Sequence, residues 1–194
     1  MKKLLAIMGG PRKGHSTEKL LDKFLEGVRD SGQEVEIKKV YVKDLDIQHC
    51  IGCGYCEKTG KCFMTDDMDV LYKDFDETDA VVIASPIFFN SVTSYLKAMI
   101  DRCQIFWSSK YVLKKSSIDR SKKRFGYFIS VAGAPEKHAD FNSAKAVIEY
   151  LFRSINTDYK GDTFVANTDE KKTWEDEKLM NDTYQKGKNF LKDL

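Results

Sequence analysis

Residues 79–85 contain the run Ala-Val-Val-Ile-Ala, which carries no polar side chain. A strand this apolar has to be covered on both faces, as the central strands of parallel sheets are by helices on either side. Four further runs rich in apolar residues have the length of a strand, at residues 3–8, 34–42, 124–132 and 163–166. The sequence therefore predicts five strands, of which the third along the chain lies inside the sheet.

Helical segments separate these strands. Residues 17–30, 91–106, 140–155 and 174–191 have the apolar spacing of helices, and a further helix opens at residues 66–67. The alternation of strand and helix implies a parallel sheet with right-handed crossovers. We therefore expect an α/β fold, a doubly wound five-stranded parallel sheet with helices on both faces.

Chain length and charge limit the class of protein. The 194 residues include no linker rich in Pro, Gly or Ser, so we expect one domain over residues 1–194. The 32 Lys and Arg residues against 30 Asp and Glu leave a net charge of +2, which favours neither nucleic acid nor an anionic membrane. The apolar run at residues 4–8 is too short for a signal peptide, and none approaches the roughly 20 residues of a membrane span. We expect a soluble, cytoplasmic protein without a nucleic-acid or membrane partner.

The loop after the first strand has the composition of an anion site. It reads Gly-Gly-Pro-Arg-Lys-Gly-His-Ser-Thr over residues 9–17 and leads directly into a helix, whose N-terminus favours phosphate. The candidate phosphate ligands are Gly10, Arg12, Lys13, Ser16 and Thr17. The loop lacks the spacings of ATP-binding and dinucleotide-binding loops, so a monophosphate fits better. The alternative is a plain turn in which Ser16 or Thr17 caps the helix.

Two further loops lie at the same edge of the sheet, because parallel strands bind ligands beyond their carboxyl ends. The loop after the third strand is apolar and aromatic, which suits contact with a planar ring, although core packing would also explain it. Its candidate ring contacts are Pro86, Ile87, Phe88, Phe89 and Asn90. After the fourth strand, the backbone amides of Gly133 and Ala134 are candidates for the polar edge of the same ring.

Four of the five cysteines lie in a cysteine-rich loop at residues 49–65. Cys50, Cys53, Cys56 and Cys62 have the spacing C-x2-C-x2-C-x5-C, which is typical of loops that hold a 4Fe-4S cluster. Structural zinc sites more often use two C-x2-C pairs with a longer insert between them. Free or transiently oxidised thiols and zinc are the alternatives. Cys103 lies in a helical apolar pattern and is expected in the core.

Three motifs together resemble the NADPH-dependent FMN reductase family of flavodoxin-like proteins, and within it the iron-sulfur flavoproteins. They are the loop at residues 9–20, the Ser-Pro-Ile-Phe-Phe-Asn-Ser segment at 85–91 and Leu-Lys-Ala-Met-Ile-Asp-Arg at 96–102. The resemblance runs in order over residues 1–107. It implies the flavodoxin-like strand order 2-1-3-4-5, with the FMN phosphate on the first loop and the FMN ring on the second. Gly10 stands where the family usually has serine, and the loop at 133–140 lacks the family's glycine-rich stretch.

The resemblance also implies an activity. The chain would be an FMN-dependent oxidoreductase that accepts electrons from NAD(P)H or reduced ferredoxin and reduces a small acceptor such as a quinone, free flavin or oxygen. No catalytic side chain is needed, because the flavin carries the chemistry. Alternatively, it would be an electron-transfer carrier that uses a 4Fe-4S cluster, or a cysteine-based sensor without flavin. Relatives suggest a homodimer or homotetramer. The charged run at 169–172 is expected to be a solvated turn, and Asp66 and Asp67 to favour a helix N-terminus.

Overall fold

The computed structural model describes residues 1–194 and contains one sheet of five strands, all paired in parallel. The strands are β1 (Lys2–Met8), β2 (Val35–Tyr41), β3 (Ala80–Pro86), β4 (Phe125–Val131) and β5 (Asp158–Val165). They lie in the order β2-β1-β3-β4-β5. The α/β class and the flavodoxin-like strand order are therefore confirmed, with β3 at the centre.

The chain has seven α-helices, and six of them cover the two faces of the sheet. The seven are α1 (Ser16–Arg29), α2 (Tyr55–Thr59), α3 (Met68–Glu77), α4 (Ser94–Arg102), α5 (Gln104–Tyr111), α6 (Asn142–Ser154) and α7 (Glu177–Asn189). Side chains of α1, of the start of α7 and of residues 190–191 after it pack on one face, and those of α3, α4, α5 and α6 pack on the other. None of these helices is both long and apolar enough to cross a membrane.

The central strands bury alternate side chains in two separate cores. Leu5 of β1 and Val81 of β3 point into the core beneath α3 to α6, whereas Ala6 and Val82 point into the core beneath α1 and α7. All four are at most 1% exposed. This two-sided burial is the reason for the unbroken apolar run in β3.

Two predicted boundaries are wrong. Strand β5 begins at Asp158 and not at residue 163, because this edge strand pairs only with β4 and keeps polar, half-exposed residues in its first half. The single helix predicted over 91–106 is two helices, α4 and α5, that meet at Cys103. The second of them continues to Tyr111, in a segment where polar residues interrupt the apolar spacing.

Candidate functional site

The N-terminus of α1 presents backbone donors that no group of the protein accepts. His15 is the N-cap residue, yet its side chain makes no capping hydrogen bond. The N–H groups of Ser16, Thr17 and Glu18 have no acceptor either in the backbone or in a side chain. Uncapped donors at the positive end of a helix form a binding site for an anion. The alternative turn capped by Ser16 or Thr17 is not what the structure contains.

The two basic residues of this loop have different surroundings. The side chain of Arg12 is exposed, makes no ion pair and borders the cavity in front of α1. Lys13 instead places its Nζ 2.6 Å from Asp44 Oδ2 and 4.4 Å from the centre of the Tyr41 ring. Arg12 is therefore free to bind an anion, whereas Lys13 is already paired and lies outside the cavity wall.

A cavity of about 300 Å³ lies between the first loop and the carboxyl ends of β1, β3 and β4. Five of the residues proposed from the sequence border it: Gly10, Arg12, Ser16, Thr17 and Pro86. Ser16 and Thr17 are largely buried, so their hydroxyl and amide groups face a confined space. The structure thus brings the first loop and the start of the second loop together.

Gly10 is required by the approach of two strands. A Cβ atom on Gly10 would lie 2.7 Å from Met8 Cε and 3.0 Å from Cδ of Pro86. The Met8 methyl group could move, but the ring of Pro86 is fixed to the end of β3. This contact is a physical reason for glycine at a position where serine is usual in the family that the sequence resembles.

Glu18 is a buried carboxylate that holds the first loop in place, and sequence reasoning missed it. Its side chain accepts hydrogen bonds from Gly14 N at 2.5 Å, from Lys39 Nζ at 2.8 Å and from the Tyr41 hydroxyl. Burial alone would raise the pKa of Glu18, but these three donors outweigh it and lower the pKa to about 2. The carboxylate therefore stays ionised and fixes Gly14, whose φ of 75° belongs to the left-handed region.

The second loop forms a tight turn that exposes aromatic rings. Phe88 N donates to Ser91 O at 2.9 Å, and Ser91 N donates to Phe88 O at 3.1 Å. Between them Phe89 and Asn90 have φ values of 49° and 57°, a strained conformation for an aromatic residue. The Phe89 side chain is fully exposed and that of Phe88 is 43% exposed. Core packing thus explains Ile87, which contacts the core, but explains neither phenylalanine.

Three buried hydroxyl groups lock the ends of β1, β3 and β4 to one another. Thr93 Oγ1 donates to the carbonyl of Gly9 and accepts from Leu96 N, so it caps α4 and holds the first loop. Ser130 Oγ donates to Ser85 O at 2.8 Å. Ser85 Oγ in turn accepts from Thr93 N at 3.3 Å. The frame behind the cavity is therefore rigid. The only sequence signal for this network was a threonine just before a helix.

The third loop is covered by the chain that follows β5. Asn167 N donates to Ala134 O at 2.7 Å, and a Cβ atom on Gly133 would overlap the carboxylate of Asp169. Neither Gly133 nor Ala134 borders the cavity, so their contact with a ring edge stays a prediction. Residues 169–171 form an exposed turn, as expected, and Lys172 after them is half-buried. Asp169 and Lys172 also line the cavity, which the sequence did not reveal.

Further wall residues were not proposed from the sequence. His15 and Trp174 both border the cavity, and the indole of Trp174 is 42% exposed. His15 lies inside the loop whose composition drew attention, and its position at the helix start was the available signal. Trp174 lies far along the chain, and nothing in the sequence links it to the first loop.

The cysteine-rich loop surrounds a second cavity, of about 340 Å³. All four cysteines of the motif border it: Cys50, Cys53, Cys56 and Cys62. Glycines at 52 and 54 have φ values of 66° and 69°, which let the chain wrap around this space. The thiols are free, and no three Cys, His, Asp or Glu side chains in the structure are arranged to hold a metal ion.

A buried ion pair closes the base of the cysteine-rich loop. Arg102 Nη1 lies 2.5 Å from Asp66 Oδ2, and Nη2 lies 3.1 Å from Oδ1. Arg102 also donates to Gln48 O at 2.9 Å, so it joins the two ends of the loop. Asp66 does accept a bond from Met68 N at the start of α3, but its main partner is Arg102, which the sequence did not reveal. Cys103 is 2% exposed in the core beside it, as expected, and burial raises its thiol pKa.

Sequence comparison identifies relatives of this chain. The profile of the NADPH-dependent FMN reductase family matches residues 2–152. An iron-sulfur flavoprotein from Archaeoglobus fulgidus is 43% identical over 100 residues, which are 52% of this chain and 44% of that protein. The chain spans about half the length of the iron-sulfur flavoproteins that it matches.

Solved structures share the fold over the whole chain. An FMN-dependent NADH-azoreductase from Bacillus anthracis, in complex with FMN, has a TM-score of 0.69 and 17% identity, with 97% of each chain covered. An NAD(P)H:quinone oxidoreductase from Methanothermobacter marburgensis has a TM-score of 0.66 and 15% identity, covering 100% of this chain and 98% of that one. Identities this low show the shared fold alone.

Proposed function

This chain belongs to the NADPH-dependent FMN reductase family, and from that premise we propose how its site works. The chain is an oxidoreductase that binds FMN, accepts electrons from NAD(P)H or reduced ferredoxin, and reduces a small acceptor such as a quinone, free flavin or oxygen. Both solved neighbours described above act with nicotinamide donors by name, which supports the choice of donor.

One observation carries the proposal: the anion site at the start of α1. FMN has a single phosphate group, and the three uncapped N–H groups of residues 16–18 offer it donors in a confined space. Arg12 stands at the same cavity without a carboxylate partner, so its guanidinium can bind two phosphate oxygens at once. Donor chemistry, charge and space at this site therefore all fit the FMN phosphate.

The second loop suits the ring of FMN. Pro86 belongs to the wall of the cavity, and Phe88 and Phe89 expose apolar area at the carboxyl end of the sheet. A flat apolar group that covers these exposed aromatic side chains on a strained turn is bound favourably. Asn90 offers an amide to the ring edge. We assign ring contact to these residues, with Ile87 supporting the turn from the core.

The role of the protein in the reaction is to bind and orient FMN, because no titratable side chain is needed for electron transfer. Bound FMN supplies the hydride and one-electron chemistry. The hydroxyl network of Ser85, Thr93 and Ser130 keeps the first and second loops at a fixed separation. Glu18 fixes the first loop from the opposite side.

The FMN affinities of one Arg12 variant and one Lys13 variant test this assignment. Arg12→Ala should lower the affinity for FMN about tenfold, because a charge-assisted contact with phosphate is lost. Lys13→Ala is the matched control, since Lys13 is paired with Asp44 and lies outside the cavity wall. Equal affinity of Arg12→Ala and the unmutated protein would show that the phosphate lies elsewhere.

A second candidate function is electron transfer through a 4Fe-4S cluster at the cysteine-rich loop. The observation in its favour is that all four thiols border one cavity, and an all-sulfur donor set is the one such clusters use. The relatives named iron-sulfur flavoproteins support it. Because no three thiols are arranged for a metal in the structure, cluster binding requires the loop to draw them inward.

Anaerobic purification separates the candidates for this loop. The cluster hypothesis expects four irons per chain and broad visible absorption that Cys53→Ser removes. Zinc in place of iron, or reactive thiols without any metal, would contradict it and leave the FMN assignment intact.

Light scattering on the same preparation measures the oligomeric state. We propose a homodimer or homotetramer, since Trp107 and Tyr111 leave a pair of adjacent, half-exposed rings on α5, tilted 46° to each other.

A further inference from the structure

The connection between β5 and α7 returns to the first loop. Thr173 is 1% exposed, and its Oγ1 donates to Ser16 O at 3.2 Å, at the first residue of α1. Thr168 Oγ1 donates to Ala132 O at the end of β4. The segment 168–174 is therefore fixed at both ends and forms a wall of the cavity in front of α1.

Lys172 occupies a special place in that wall. Its Nζ donates to Thr168 O at 2.8 Å and to Asp169 O at 3.0 Å, and it makes no ion pair. An ammonium group has three donors, so one N–H is left for a ligand. The half-buried Lys172 precedes Thr173, which is bonded to Ser16, and this places the charge beside the uncapped end of α1.

The neighbouring lysine shows the contrast. Lys171 is exposed, and its Nζ lies 2.7 Å from Asp176 Oδ2. It does not border the cavity. Of the two consecutive lysines, only Lys172 lines the cavity and makes no ion pair.

We propose that Lys172 is a second cationic ligand of the FMN phosphate, opposite Arg12, an inference that rests on the proposed function. The segment 168–174 lies outside residues 2–152, the part of the chain that the family profile matches. This chain therefore completes its phosphate site with residues from its own C-terminal region. A phosphate monoester carries close to two negative charges at neutral pH, which matches two cations.

Asp169 provides a test of the sign of the charge effect. Its carboxylate borders the same cavity, makes no ion pair and lies against Gly133. A nearby carboxylate repels a phosphate group, so its removal should strengthen FMN binding while removal of Lys172 weakens it. A role of the segment in folding alone would not give opposite signs.

Titration of the apoprotein with FMN and with riboflavin, followed by flavin fluorescence, tests the proposal. Riboflavin has the same ring and no phosphate. Lys172→Gln keeps an amide donor for the two carbonyls but removes the charge, and it should weaken FMN about tenfold without changing riboflavin affinity. Asp169→Asn should strengthen FMN binding, and Lys172→Arg, which keeps the positive charge, should retain most of the FMN affinity of the unmutated protein. The control Lys171→Gln should match the unmutated protein for both flavins.

The possible results separate the two proposals. Equal losses for FMN and riboflavin in Lys172→Gln, or no loss for either, would overturn the role of Lys172. If Lys172→Gln does not fold, an FMN affinity that is unchanged in Asp169→Asn would overturn it as well. Unmutated protein that binds neither flavin would overturn the proposed function itself, whatever the variants do.

Discussion

The guanidinium of Arg102 and the carboxylate of Asp66 form a two-point ion pair in which both side chains are 1% exposed. The pair joins α4 to the end of the cysteine-rich loop, and Arg102 also holds Gln48 at the loop's beginning. The loop is thus attached to the core at its base while its four thiols border a cavity. Loop conformation and core stability are therefore coupled through one contact.

Asp66→Asn should destabilise the fold by about 3–5 kcal/mol, because it leaves the charge of Arg102 buried without a partner. Urea denaturation measures this. The control is Asp101→Asn on α4, the helix of Arg102. It removes an exposed ion pair with Lys97 and should cost well under about 1 kcal/mol. Similar losses of unfolding free energy in the two variants would mean that the buried ion pair stabilises the fold no more than the exposed pair does.

Glu18 should make stability depend on acidity in a defined range. Its pKa falls from an ordinary 4.5 to about 2 on folding, so its contribution is complete above pH 4.5 and is lost as the pH falls toward 2. In Glu18→Gln the free energy of unfolding should change less between these two pH values than in the unmutated protein. Asp22→Asn, which removes an exposed partner of the same Lys39, should retain most of the slope.

Gly10→Ser should be less stable than the unmutated protein by about 1–3 kcal/mol, the usual range for overpacking. The added Cβ would meet Pro86, whose ring cannot rotate away. Thermal unfolding measures the change. FMN affinity should fall as well, because relief of the contact moves the first loop away from the end of β3. A stable variant with stronger FMN binding would show that the added hydroxyl outweighs the contact.

Phe89→Asn should raise the free energy of unfolding by up to about 1 kcal/mol, because Asn tolerates a positive φ better than an aromatic residue. It should also weaken the binding of FMN and riboflavin alike, since the ring loses an aromatic contact. Tyr95→Asn is the control, as Tyr95 is half exposed on α4 with ordinary helical geometry. Unchanged flavin affinity in Phe89→Asn would remove Phe89 from the ring site.

The sequence predicted the fold class and the strand order because the signals are local or carried by motifs in order along the chain. The unbroken apolar run of β3 and the glycine-rich first loop are examples. Strand β5 was placed too late because an edge strand need not be apolar.

The site was predicted only where its residues are close in sequence. Arg12, Ser16 and Thr17 border the cavity as expected, but Lys13 turns to Asp44, a partner in another loop. Lys172 joins the site because the chain returns from β5 to α1, a path that no local pattern encodes. The partner of Asp66 was missed for the same reason, since Arg102 lies 36 residues away in sequence.

The central claim is that the protein binds FMN at the carboxyl end of its sheet and reduces it with a nicotinamide donor. Anaerobic mixing of the FMN-loaded protein with NADPH or NADH, followed by visible absorption, measures this directly. We expect one equivalent of FMN per chain. At least one of the two donors should reduce this FMN, which is seen as loss of the flavin absorption. A protein that retains no FMN, or whose FMN stays oxidised with NADPH, with NADH and with reduced ferredoxin, would contradict the claim.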